Sequence, residues 1–374
     1  MYQRESVRVL LENGANLNIK DEDGKGILCF AAELDNKNKK EEYIDIMRML
    51  IAHGAEINCN QVEYFLPFVT VIRSGTMEAL QLFFEHGITL ENCGSSHLLR
   101  HAAENEDTDI MKYLLETFQY DVNEIHREGD REFTPLFVAV DTDQKHNAQL
   151  LIEYGADVDI PCVHYGVNNS DFTASSPLFA ALNYGDSRMV DLLLSAGANL
   201  NVDTNDHLWQ PIMVKVLQPV FYEMLSSLIG ESTLLQSRET FDLKNRNVIV
   251  ERFANFSLEI EKQCLAELEA LKNITFYGSV TLYDMLGGKD VTRFVRSNHV
   301  AETFKSQKVV ECFPIYGNRI EYCYILAKSK REVMDKAIRK LNEILQFCFC
   351  HYHEILYIIL SHLRLQDLHI LSIV

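Results

Sequence analysis

The densest grouping of side chains able to hold a metal is Cys348-Phe349-Cys350-His351-Tyr352-His353, with four thiol or imidazole donors in six residues. A zinc site built on so short a tract needs a second donor pair elsewhere, and none stands at a suitable spacing. On a helix Cys350 and His353 share a face and Cys348 does not, so the tract reads as buried thiols beside polar imidazoles, with no metal. Gly287-Gly288-Lys289-Asp290 lacks the leading glycine and the following Ser or Thr of a phosphate loop and reads as a turn. His53 and His86 stand just before glycines, where an imidazole favours the C-terminus of a helix by its interaction with the dipole. No Ser–His–Asp or Cys–His grouping follows from chain positions. The residues thus point to a protein that is not an enzyme and uses no cofactor.

What remains is a surface for other macromolecules, and its charge narrows the choice. The chain of 374 residues carries a formal net charge of -19, unevenly spread. Residues 1–230 hold 36 acidic and 16 basic side chains, residues 231–374 hold 18 and 19. The first part repels phosphate backbones, which argues against nucleic acid and favours a basic protein partner. Hydrophobic residues at 47% permit a large buried interior. Nine cysteines without a disulfide-like framework fit a reducing compartment, cytoplasm and/or nucleus. The N-terminus has no apolar signal region. The apolar run Leu345 to Val374 is broken by His351, His353, Glu354, Arg364 and Asp367, which makes it a poor membrane span, and no membrane partner is expected.

The elements that would build such a surface repeat. Leu10-Leu11-Glu12-Asn13-Gly14-Ala15-Asn16-Leu17-Asn18 returns as Leu50-Ile51-Ala52-His53-Gly54-Ala55-Glu56-Ile57-Asn58. Later copies are Leu151 to Asp159 and Leu193 to Asn201, with weaker ones at Phe83 to Gly87 and at Leu114-Leu115 followed by Asp121-Val122-Asn123. The paired apolar residues close a helix, glycine ends it in the left-handed conformation, and the polar–apolar–Asn segment turns the chain. Upstream, Thr134-Pro135-Leu136 and Ser176-Pro177-Leu178 start helices with a hydroxyl cap and proline at the first helical position. Asp21-Glu22-Asp23-Gly24 with Ala31-Ala32, and Leu66-Pro67-Phe68, are degraded forms.

These phrases resemble ankyrin repeats, whose consensus contains Gly-x-Thr-Pro-Leu-His-x-Ala-Ala and Leu-Leu-x-x-Gly-Ala-Asp-Val-Asn. The resemblance implies an all-α solenoid over residues 1–230, of about six repeats with the first incomplete and some degenerate. The sequence opens inside a second repeat helix at Val7 to Leu11, as a truncated or an unusual start would. Extra residues fall at Asp35 to Glu42, a charged bulge, and at Ile160 to Ser175, a lengthened loop. Ankyrin proteins use such loops for contacts, so His164, Tyr165, Asn168, Asn169, Asp171 and Phe172 are candidate target-binding residues.

The repeat pattern fades through a capping helix near Val220 to Ile229, and residues 231–256, polar from Leu234 to Asn247, read as a connector. Residues 257–347 form a helical linker region, ahead of a terminal motif at 348–374. Ser257 to Leu271 has helical spacing, with Leu258, Cys264, Leu265, Leu268 and Leu271 apolar and Glu and Lys on the other face. Further helices are expected at Thr281 to Met285, Val291 to Asn298, Ala301 to Lys305 and Glu332 to Phe347, with a turn of buried aromatics at Phe313 to Gly317. In the last segment Ile355, Leu356, Ile359, Leu360 and Leu363 make one helical stripe, and Asp367 starts a short helix with Leu368 and Leu371.

That segment resembles the opening of an F-box, and with the repeats the chain is similar to the PRANC class known from poxviruses and parasitoid wasps. The phrases Leu282 to Leu286 and Phe313 to Gly317 add to the likeness. It implies docking on the Skp adaptor of a cullin–RING ubiquitin ligase through Glu354, Ile355, Leu356, Ile359, Leu360, Leu363, Asp367 and Leu368, in a truncated F-box-like helix pair. His351-Tyr352 stands where Leu-Pro is expected, which removes the proline's preorganisation of the helix start. The other reading is an ankyrin scaffold or decoy inhibitor, resembling those that mask NF-κB factors, without ligase coupling.

Overall fold

The helices of the repeats are short because sequence punctuation starts and stops them. Thr134 Oγ1 accepts the Phe137 amide at 3.2 Å and Ser176 Oγ accepts the Phe179 amide at 3.2 Å, each followed by proline at the first helical position. At the other end Gly155 and Gly197 take φ of 92° and 91°. The Gly155 amide bonds the Ile152 carbonyl at 3.0 Å and the Ala156 amide the Leu151 carbonyl at 2.9 Å, the paired bonds of a left-handed helix stop.

The computed structural model describes residues 2–22, 25–33, 40–57, 67–88, 97–117, 120–165, 172–199, 226–231, 233–234, 254–286, 291–292, 295, 309–345, 357, 360–361 and 368. Their elements are α1 (Tyr2–Glu12), α2 (Ile27–Glu33), α3 (Lys40–Ala52), α4 (Pro67–Ser74), α5 (Met77–Glu85), α6 (Leu98–Ala103), α7 (Thr108–Thr117), β1 (His126–Glu128), β2 (Arg131–Phe133), α8 (Pro135–Asp141) and α9 (Lys145–Glu153). After these come β3 (Cys162–Tyr165), β4 (Phe172–Ser175), α10 (Pro177–Tyr184), α11 (Ser187–Ser195), α12 (Ala254–Asn273), β5 (Thr275–Tyr277), β6 (Val280–Thr281), α13 (Leu282–Leu286), α14 (Val309–Cys312) and α15 (Gly317–Leu345). A further helical segment spans 226–231.

The chain divides into two compact units. In the first, residues 1–126 and 134–150, α2, α4, α6 and α8 pack in one row and α1, α3, α5 and α7 in a second. The hairpins α2–α3, α4–α5 and α6–α7 join the rows, the stacked arrangement that the repeat phrases imply. Phe68, Leu80, Phe83, Leu98, Leu99 and Ile110 fill the interior. Two buried asparagines tie repeats together. Asn105 Nδ2 donates to the Ile72 and Gly75 carbonyls at 2.9 and 3.0 Å, and Asn147 Nδ2 to those of Ala102 and Asn105 at 3.1 and 2.6 Å. Each supplies a side-chain donor to carbonyls at or just past a helix end of the preceding repeat.

The second unit comprises residues 127–133 and 151–374. Here the expected open loop at 160–175 is corrected. Cys162-Val163-His164-Tyr165 and Phe172-Thr173-Ala174-Ser175 are strands, paired antiparallel in the register Cys162↔Ser175 to Tyr165↔Phe172. β3 also pairs with β2, so the sheet order is β1-β2-β3-β4. Strand-forming β-branched and aromatic residues stand at both ends of the insertion, and each strand satisfies the other's backbone groups. The last residue of the repeat phrase links one repeat to the next. Asp159 Oδ1 accepts the Asn199 amide at 2.8 Å, forty residues on. Asn18 does the same for the Glu56 amide at 3.2 Å within the first unit.

Further along, α12 covers the expected helix, but its buried face is Ile260, Cys264, Glu267, Leu268 and Leu271. Leu265 is 57% exposed, so it leaves the apolar stripe and Glu267 enters it; the side chain of Leu258 lies outside the described residues. α15 starts fifteen residues before the expected Glu332, because Phe313 to Tyr316 form a buried turn that launches it directly. Val291, Thr292 and Val295 are not helical, which corrects the helix expected there; Ala301 to Lys305 and the Gly287 to Asp290 turn lie outside the described residues.

Candidate interaction sites

The finger sheet places two of the proposed target-binding residues. His164 and Tyr165 stand at the end of β3, paired through the backbone with Arg131 and Phe172 respectively. The Tyr165 hydroxyl donates to Glu132 Oε2 at 2.9 Å, and the Arg127 guanidinium lies 5.3 Å from the ring centroid and 3.7 Å from Glu132 Oε1. The hydrogen bond to Glu132 holds the Tyr165 phenol above its ordinary pKa. An arginine, a tyrosine and a carboxylate thus sit together on the accessible part of the sheet, a set suited to amphipathic contact with a protein surface. Asn168, Asn169 and Asp171 lie outside the described residues, and Phe172 is placed by its backbone alone.

The terminal motif is placed by two of its eight candidates. Leu360 is 2% exposed and Leu368 0%, both in one cluster with Tyr357 and with Val333, Met334, Ala337 and Ile338 of α15. These two leucines are therefore interior side chains, packed against α15. Glu354, Ile355, Leu356, Ile359, Leu363 and Asp367 lie outside the described residues, as does the Cys348 to His353 tract.

Two sets of buried polar residues are not apparent from the sequence. At the base of α15, Glu267 accepts the Ile315 and Tyr316 amides, each at 3.2 Å, and burial raises its pKa. The Tyr316 hydroxyl, pushed up by burial, donates to the Gly230 carbonyl at 2.9 Å, and Arg319 pairs with Glu231 in a nearly water-free site. Asp191 of α11 receives Ser227 Oγ at 2.6 Å and Asn318 Nδ2 at 3.0 Å. Each charge has fixed partners, as burial demands. The second set is the buried pair Arg100 and His101 with the partly buried Arg73, His97 and His126 near them in the first unit, the His97 and His126 ring centroids lying 4.3 Å apart. The signal for it was Arg100-His101 directly before Ala102-Ala103, two adjacent basic side chains inside a repeat helix. His53 and His86, by contrast, lie near the helix ends as expected, each with Nδ1 2.8 Å from the carbonyl four residues earlier.

Stacked helix pairs joined by a small antiparallel sheet define a repeat architecture, and family comparison agrees. Residues 68–162 match ankyrin repeats in three copies and residues 175–205 match one more, so the chain has the ankyrin-repeat solenoid fold. Residues 277–373 match the PRANC domain. The protein carries ankyrin repeats followed by a C-terminal PRANC domain, both of them non-catalytic interaction modules.

It is similar to the ankyrin repeat protein FPV031 of Fowlpox virus (strain NVSL), 23% identical over 286 residues, which cover 72% of this chain and 70% of the relative. It is also 26% identical over 201 residues to the ankyrin repeat and KH domain-containing protein mask-1 of Caenorhabditis elegans, covering 54% of this chain and 7% of that protein. The crystal structure of the human ASB11 ankyrin repeat domain aligns at a TM-score of 0.39 and 20% identity, over 57% of this chain and 93% of the other. Among the described residues no helix is long and apolar enough to cross a membrane, and no group of three or more His, Cys, Asp and Glu could hold a metal.

Proposed function

We propose that the chain is the substrate receptor of a cullin–RING ubiquitin ligase: the ankyrin repeats hold a target protein, and the PRANC segment docks on the Skp adaptor. Ubiquitin transfer is then performed by an enzyme that the chain does not contain, in the cytoplasm or nucleus where such ligases act. The observation that carries this reading is the match of residues 277–373 to the F-box-like PRANC domain behind an array of ankyrin repeats. Tyr357 and Leu360 face α15. Within this reading Leu360 and Leu368 anchor the motif, and Ile355, Leu356, Ile359 and Leu363 touch the adaptor. Tyr165 and His164 on the finger sheet, with Arg127 beside them, are proposed contacts for the target.

The test is affinity capture of the full-length chain from cells, followed by quantification of Skp adaptor and cullin. The wild type is expected to bring both, and Ile359→Asp to lose both, since a charge would be buried unpaired at the contact. Absence of adaptor and cullin from the wild-type sample overturns the proposal in favour of a plain ankyrin scaffold or decoy.

A further inference from the structure

A short terminal helix pair cannot hide its apolar side chains by itself, since helices below about 12–15 residues are marginal in water and need a facing surface. In this chain the facing surface comes from upstream. Val333, Met334, Ala337 and Ile338 recur at i, i+1, i+4 and i+5 along α15 and enclose Tyr357, Leu360 and Leu368, with Leu341 packed at the edge. Met334 and Ala337, like Leu368, have 0% of their surface exposed.

Two polar contacts fix the rotation and height of the segment on this stripe. The Arg331 guanidinium lies 4.6 Å from the Tyr357 ring centroid and is held by Asp335 at 3.2 Å. Lys330 Nζ donates to the Ser361 carbonyl at 2.8 Å. A cation over a ring face and a cation on a helical carbonyl are both directional, so the segment has one seating where a greasy stripe alone would allow several.

We infer that residues 330–341 of α15 are an integral part of the adaptor-docking unit: a platform on which the terminal segment is seated through Tyr357, Leu360 and Leu368. Val333, Met334, Ala337 and Ile338 are positioning residues, and Lys330 and Arg331 set the register. What the terminal segment binds rests on the proposed adaptor function; what holds Tyr357, Leu360 and Leu368 in place does not. The last 27 residues excised alone would therefore lack the wall that shapes them.

The experiment compares full-length variants by two readouts, hydrogen–deuterium exchange of peptides covering residues 352–368 and affinity for a purified Skp-family adaptor. Ala337→Asp, in the platform, is expected to raise exchange in that segment at least about tenfold and to weaken adaptor binding by a similar factor, with exchange in α11 and α12 unchanged. Ile359→Asp is expected to weaken binding equally while leaving exchange as in the wild type. Lys336→Asp, on the solvent side of α15, should change neither. Should Ala337→Asp unfold the whole unit, the double variant Lys330→Ala/Arg331→Ala, which replaces no residue of the buried cluster, takes its place, with a rise in exchange of about threefold. Unchanged exchange in the platform variant overturns the inference. If the wild type binds no adaptor, the proposed function fails, and the exchange readout still decides the platform.

Discussion

His101, in the middle of α6, is 1% exposed. Burial first, then the charges of Arg100 and Arg73 and the imidazoles His126 and His97, lower its pKa from 6.5 to about 3. The folded chain thus keeps this imidazole neutral where the unfolded chain takes up a proton. Between these two values the unfolded state binds more protons, so stability falls as the pH drops from about 6.5 toward about 3, by up to about 1.4 kcal/mol per unit. Above 6.5 His101 contributes no slope. Urea unfolding followed at a series of pH values should show this loss, and His101→Leu should flatten it; equal slopes for both proteins would contradict the assignment. A position that the ankyrin consensus leaves variable has here become an acid sensitivity of the repeat stack.

Among the elements, α15 depends most on one residue. A Cβ added at Gly317 would lie 2.6 Å from the Val310 Cα and 2.7 Å from the Val309 carbonyl oxygen, backbone that cannot move aside. Gly317→Ala is expected to cost about 1–3 kcal/mol, read as a lower denaturant midpoint at unchanged m-value, while Lys328→Ala on the exposed side of the helix stays within about 0.5 kcal/mol. The sequence announced this turn through Phe313-Pro314-Ile315-Tyr316-Gly317, just as Thr134-Pro135 and Ser176-Pro177 announced α8 and α10. Local punctuation of that kind is legible because it acts within one helical turn. The finger strands of 160–175 were not, since a strand needs a partner that only the fold supplies. The same limit explains Glu267 and Leu265. Helical spacing alone places the glutamate outside and the leucine inside; the Ile315 and Tyr316 amides arriving from forty-eight and forty-nine residues away reverse them. At the terminal motif the periodicity was visible, but which side of it α15 would claim was not.

On the scale of the second unit, the last described repeat and the PRANC region share one interior. α11 packs on α15, and Asp191 joins them to the segment 226–231 through Ser227 and Asn318. Removing that carboxylate takes an acceptor from the buried Ser227 hydroxyl and from the part-buried Asn318 amide. Asp191→Ala should therefore raise amide exchange in α11 and α15 together, by a similar factor, as for one cooperative body. A rise confined to α11 would mean that the repeat opens independently of the PRANC region.

The same interior isolates Cys264. Burial pushes its thiol up to about 12, so at neutral pH roughly one molecule in 10⁵ carries the reactive thiolate. Cys312, by contrast, is exposed. One sulfur on the surface and one sealed against Tyr316 give the molecule a built-in clock: an alkylating reagent takes the first at once and must wait for the interior to part before it takes the second.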